Sequence, residues 1–271
     1  MSNTTLEGLL RRDRAIVAAA LVSITVLAWL YVLRLAAGMR MGGMDMTGFR
    51  MISTGFAMAM APAREPWSAN EFTLTFAMWS IMMIGMMTPS AAPMILIYAR
   101  AGRVAAASGR PLAGTAWFAS GYLLMWTGFG LAATAAQWIL ERFALLDPRM
   151  AAAGAPLAAT FLAAAGCYQW TPLKDACLAQ CQSPLRFIQR QGGFRGGARG
   201  ALRLGAVHGL SCIGCCWALM SLLFVGGVMN VLWIAALTAL AFSEKILPWG
   251  RLVSRVAGVA LVFAGLRLLA R

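Results

Sequence analysis

Apolar runs of about twenty residues recur along this chain, separated by short basic segments, and that is the length a helix needs to cross the hydrocarbon core of a bilayer. With 61% apolar and only 12% charged residues, the chain reads as a polytopic integral membrane protein, an all-α transmembrane helical bundle. Seven spans are expected, at about 15–37, 72–99, 112–140, 151–171, 204–227, 230–248 and 252–269, or six should the last not cross. The membrane-type core is then 71–250. Residues 1–70 form an N-terminal span with a methionine-rich extracytoplasmic loop, and 251–271 a C-terminal span.

The formal charge of +14 does not imply a nucleic-acid partner, because the 23 basic residues form no cluster on a soluble domain. They punctuate the ends of the apolar runs and act as topology signals. Arg11, Arg12 and Arg14 precede the first run, and no small-residue cleavage site follows, so that span is expected to be retained. Segments on the same side as this terminus hold Arg100, Arg103, Arg110, Lys174, Arg186, Arg190, Arg195, Arg199, Arg203, Lys245, Arg251 and Arg255. This basic excess places the N-terminus in the cytoplasm, and the connection 38–71 outside.

Six cysteines and the single histidine crowd between Cys167 and Cys216. At 100° per residue, His208, Cys212 and Cys215 share an arc of about 60°, and Cys216 and Met220 extend it to about 140°. Thiolates and thioethers select Cu(I), and thiolates with imidazole also suit Zn(II). A single buried cysteine is ordinarily just packing. Three within five residues, one turn from the only histidine and inside a span, point instead to chemistry.

Two further elements add donors. After Cys167, an aromatic belt and Pro172 end a span, and Cys177 and Cys181 follow four residues apart, so a helical turn puts both thiols on one face. On the cytoplasmic side thiols stay reduced, which favours ligation over a disulfide. Earlier in the chain Met78, Met82 and Met86 recur every four residues on one face, with Met83, Met87 and Met94 on another. Such stripes serve packing as readily as ligation. Pro89 is expected to kink or open this helix beside the methionines. The outer connection carries Met39, Met41, Met44, Met46, Met51, Met58 and Met60, either a capture segment for Cu(I) or a flexible loop. Glu244 and Lys245 close the sixth apolar run and read as an interfacial anchor, with an outer partner of His208 as the alternative.

The combination of Met78 to Pro93, Gly166-Cys167-Tyr168-Gln169-x-Thr171-Pro172-Leu173-Lys174-x-x-Cys177-Leu178-x-x-Cys181, Gly209-x-x-Cys212-x-Gly214-Cys215-Cys216-Trp217-x-Leu219-Met220 and the closing Glu244-Lys245 resembles the DUF2182 family. This bacterial family is described as predicted metal-binding integral membrane proteins, some labelled copper chaperones, and the likeness covers roughly residues 70–250. It implies a multi-pass protein of the bacterial inner membrane, with Cu(I) as its metal. The residue types leave three functions open. One is Cu(I) binding and transfer in copper trafficking or cuproenzyme maturation, working with a copper-donor or copper-acceptor protein or a membrane enzyme complex. Another is a membrane dithiol oxidoreductase using Cys212 and Cys215. The third is a stabilising subunit of a larger membrane complex.

Overall fold

A computed structural model describes residues 3–38, 49–62, 65–108, 112–194 and 197–270. The chain runs α1 (Asn3–Gly38), β1 (Phe49–Ser53), β2 (Met58–Pro62), α2 (Ala69–Ala107), α3 (Thr115–Arg142), α4 (Ala155–Tyr168), α5 (Pro172–Gln182), α6 (Pro184–Arg190), α7 (Gly197–Ser221), α8 (Leu223–Gly226), α9 (Val231–Ile246) and α10 (Gly250–Leu269). The all-α expectation fits, apart from one antiparallel hairpin that pairs Met51 with Met60 and Ser53 with Met58. The hairpin forms in the connection expected to be a loop, and it turns Met51 and Met58 into the core. Met39, Met41, Met44 and Met46 lie outside the described residues.

Among the described residues, five helical stretches are long and apolar enough to cross a membrane: Arg14–Gly38, Ala69–Ala106, Thr115–Arg142, Gly197–Gly226 and Gly250–Leu269. Two of the seven expected spans are shorter than their apolar runs. The run at 151–171 yields the 14-residue α4, because Gly154 and Pro156 start it late and Thr171-Pro172 starts another helix. The run at 230–248 yields the 16-residue α9, begun by Asn230, whose side chain accepts from the Trp233 N–H, and followed by Pro248. At 1.5 Å per residue these reach about 21 and 24 Å, less than a bilayer core of about 30 Å. Hydropathy registers apolarity across such breaks and overcounts helix length.

The 39-residue α2 continues as helix through Pro89 and Pro93, so the opening expected beside the methionines does not occur. Hydroxyl donors are concentrated at this point. Thr88 donates to the Ile84 carbonyl at 2.6 Å, while Ser90 and Tyr122 donate to the Met87 carbonyl at 2.9 and 3.0 Å.

Helix pairing is set by small residues. α7 packs on α3, α10 on α4, and α1 and α3 on α2. A Cβ on Gly205 of α7 would overlap the Phe118 carbonyl oxygen of α3, and one on Gly209 would lie 2.8 Å from Met125 Cβ. Such positions let two helix backbones approach closely and pack over a long contact. Outward, α1 and α10 present apolar rows, including Leu27, Leu30, Val256, Val259 and Phe263.

Gly205→Ala should therefore lower the midpoint of thermal unfolding in detergent, with the cost of about 1–3 kcal/mol typical of overpacking. Gly128→Ala, on the same α3 but facing open space, should not. Equal midpoints would show that the α3–α7 contact is not the close one described.

Candidate metal centre

The glycine contact that seats α7 on α3 carries the cysteines one to two turns further into the core. Cys212, Cys215 and Cys216 are all buried. Cys212 and Cys216, four apart, share the side of α7 that meets α2 and α9, as the helical period requires. Cys216 Sγ lies 3.9 Å from Met87 Sδ of α2, and Cys212 Sγ lies 3.2 Å from the Tyr122 hydroxyl of α3. The Cys215 and Cys216 thiols both donate to the Cys212 carbonyl, at 3.1 and 2.9 Å.

Lys245 completes this group. Its ammonium lies 3.0 Å from Cys212 Sγ, 3.6 Å from Met87 Sδ, 3.7 Å from Cys216 Sγ and 3.3 Å from Ser90 Oγ. The side chain is buried, and among the described residues it forms no salt bridge to a carboxylate. A buried charge requires a partner, and the nearest atom able to carry the opposite charge is the Cys212 sulfur. The interfacial-anchor reading of Glu244 and Lys245 is thereby corrected. Glu244 is fully buried and pairs with Lys174 of α5 at 2.7 Å, because the apolar surroundings at the end of α9 leave neither charge access to water.

That ion pair, together with two amide contacts, fixes α5. Gln182 donates to the Glu244 carbonyl at 2.7 Å, and Ser211 of α7 donates to Gln180 at 3.1 Å. Thr171 caps the helix, accepting from the Lys174 N–H at 3.3 Å. So held, α5 packs on α7, with Cys181 partly buried against the core that contains Cys212 and Cys215. Cys177 lies against Gly214, where a Cβ would come 2.6 Å from its sulfur. Sulfurs are thus brought to this region by α5 with Cys177 and Cys181, by α7 with Cys212, Cys215 and Cys216, and by α2 with Met87.

The other expected donors have different surroundings. His208 is packed among Tyr122, Phe118 and Phe187, with ring centroids 5.6, 6.2 and 5.2 Å away, and its Nδ1 has no hydrogen-bond partner among the described residues. Cys167 is exposed on α4. Met78, Met82 and Met86 are buried in the apolar core, and the stripe that supplies the sulfur contact is the neighbouring one, through Met87. Among the described residues no three His, Cys, Asp or Glu side chains are grouped to hold one metal ion. Two thiols with a thioether form a softer and smaller donor set. Tyr122 was not singled out by the sequence, and Met87, Lys245 and Lys174 were noted there only as one of a second methionine stripe, an interfacial anchor and a topology signal. The adjacent charges at Glu244-Lys245 and the second methionine stripe were the available signals.

The fold and this centre define a helical protein with a buried, sulfur-rich site. The chain belongs to the family described as PpoB2, copper chaperone, whose model matches residues 76–268, and this gives it a copper-related role. No curated protein and no solved structure matches it.

Removing one partner of a buried ion pair strands the other. Lys174→Met should therefore cost about 3–5 kcal/mol in unfolding free energy, and Lys174→Met with Glu244→Gln markedly less. Chemical denaturation of the two variants checks this. Equal losses would show that the pair is not what holds α5.

Proposed function

We propose that this protein is an integral membrane Cu(I)-binding and transfer protein, serving copper trafficking or the maturation of a copper enzyme. The observation that carries the reading is the meeting of Cys212, Cys216 and Met87 in a buried site formed by helices α7 and α2. Thiolate and thioether sulfurs are the donors that select Cu(I). Zn(II) in a structural site asks for four donors in a tetrahedron, so the softness and small number of these sulfurs favour the monovalent ion. The family match supports copper as the metal.

In this reading Cys212 and Cys216 hold the ion, and Met87 supplies a weaker third contact. Cys215 and Cys181 continue the sulfur path toward α5, so the ion moves by exchange of one thiol for the next and is never released into an apolar interior. Cys177 extends that path. A copper donor or acceptor docks at the α5 end, the side that basic-residue asymmetry assigns to the cytoplasm. The outward apolar rows of α1 and α10 face lipid, and the hairpin 49–62 lies on the opposite, extracytoplasmic side. The closed aromatic packing of His208 favours a role in shaping the site over ligation.

Copper content of anaerobically purified protein tests the site. Replacing Cys212 and Cys216 together with Ser should abolish stoichiometric Cu(I), and Met87→Leu, which conserves volume, should weaken binding while leaving the fold intact. Unchanged copper in the double variant would refute the assignment.

Orientation has its own test. A membrane-impermeant thiol reagent added to intact cells should label Cys introduced at the exposed hairpin residue Phe56, and label Cys introduced at exposed Arg190 only after permeabilisation. The opposite pattern would invert the topology.

A further inference from the structure

The three sulfurs assigned to copper are the same three that surround the Lys245 ammonium. Cys212 Sγ is 3.0 Å from Nζ, Met87 Sδ 3.6 Å and Cys216 Sγ 3.7 Å, and Ser90 Oγ at 3.3 Å supplies a fourth contact. The ammonium thus sits within the donor set and not beside it. A copper ion bound to Cys212 and Cys216 and an ammonium in this position claim one volume, and two cations in contact within a low-dielectric core repel strongly.

We propose that Lys245 is a tethered competitor of Cu(I), an inference that rests on the Cu(I) reading given above. Its ammonium fills the sulfur cradle in the metal-free protein, withdraws as the ion binds, and returns as the ion leaves. One monovalent cation replaces another, and Cys216, whose thiol donates to the Cys212 carbonyl in the metal-free protein, releases its proton on becoming a thiolate ligand, whereas a divalent ion would bring one positive charge more. A competitor attached to the same chain acts at a high effective concentration, lowering affinity and assisting release. That trade suits a protein whose task is to hand its ion on. It also explains why an ammonium is buried against soft sulfurs, which are poor partners for it in any purely structural role.

The experiment uses the full-length protein, reduced and anaerobic in detergent, with Cu(I) alone as the probe. Affinity is read by competition with a chromophoric Cu(I) chelator, and release by the rate at which excess chelator removes the ion. Lys245→Leu should bind Cu(I) about tenfold or more tighter than the wild type, in keeping with loss of a charged hydrogen-bond competitor, and should release it correspondingly more slowly. Ser90→Ala removes one contact to the ammonium without touching a sulfur, and should shift both quantities the same way by a few-fold. If Lys245→Leu does not fold, Ser90→Ala decides. Unchanged or weaker binding in the folded variants, with the wild type binding copper, would overturn the competitor and make Lys245 a permanent counter-ion or a packing residue. A wild type that binds no Cu(I) would overturn the underlying copper reading as well.

Discussion

Two opposite charges, Glu244 and Lys245, are buried side by side near the end of α9, and much of the centre is arranged around what each of them requires. Burying an ion without a partner costs several kcal/mol, so each must find one within the protein. Glu244 takes Lys174 and thereby fixes α5. Lys245 takes the sulfurs of α7 and α2. Since neighbouring residues on a helix point about 100° apart, one dipeptide reaches two different layers of the bundle at once. The cysteines of α5 and those of α7 meet because both helices are tied to this point.

Close helix contact is the second requirement. Gly205 and Gly209 let α7 lie almost backbone to backbone on α3, and this carries Tyr122 up to both Cys212 and the Met87 carbonyl. Larger side chains there would separate the helices and move the sulfurs of α7 away from Met87. The centre is thus specified partly by residues that contribute no donor atom.

Much of this was legible in the sequence because it follows from helical period alone. The shared face of Cys212 and Cys216, and the helix carrying Cys177 and Cys181, need only 3.6 residues per turn. Choosing between the two methionine stripes needs knowledge of which face of α2 meets α7, and no local pattern supplies it. The charges at Glu244-Lys245 were misassigned for a related reason: closeness to the end of an apolar run suggests water nearby, but α5 covers Glu244 while α7 and α2 enclose Lys245. His208 stood out as the single histidine beside three cysteines, yet its ring lies in an aromatic box that only the tertiary packing of Phe118, Tyr122 and Phe187 creates.

The central claim is that a soft monovalent ion is held by sulfur alone, in a cradle formed by Cys212, Cys216 and Met87. X-ray absorption at the copper edge of the anaerobically loaded protein tests it most directly. The expected result is a Cu(I) edge with a first coordination shell of two or three sulfurs and no nitrogen. A shell containing an imidazole nitrogen would contradict it, returning His208 to the ligand set and requiring the aromatic box to open.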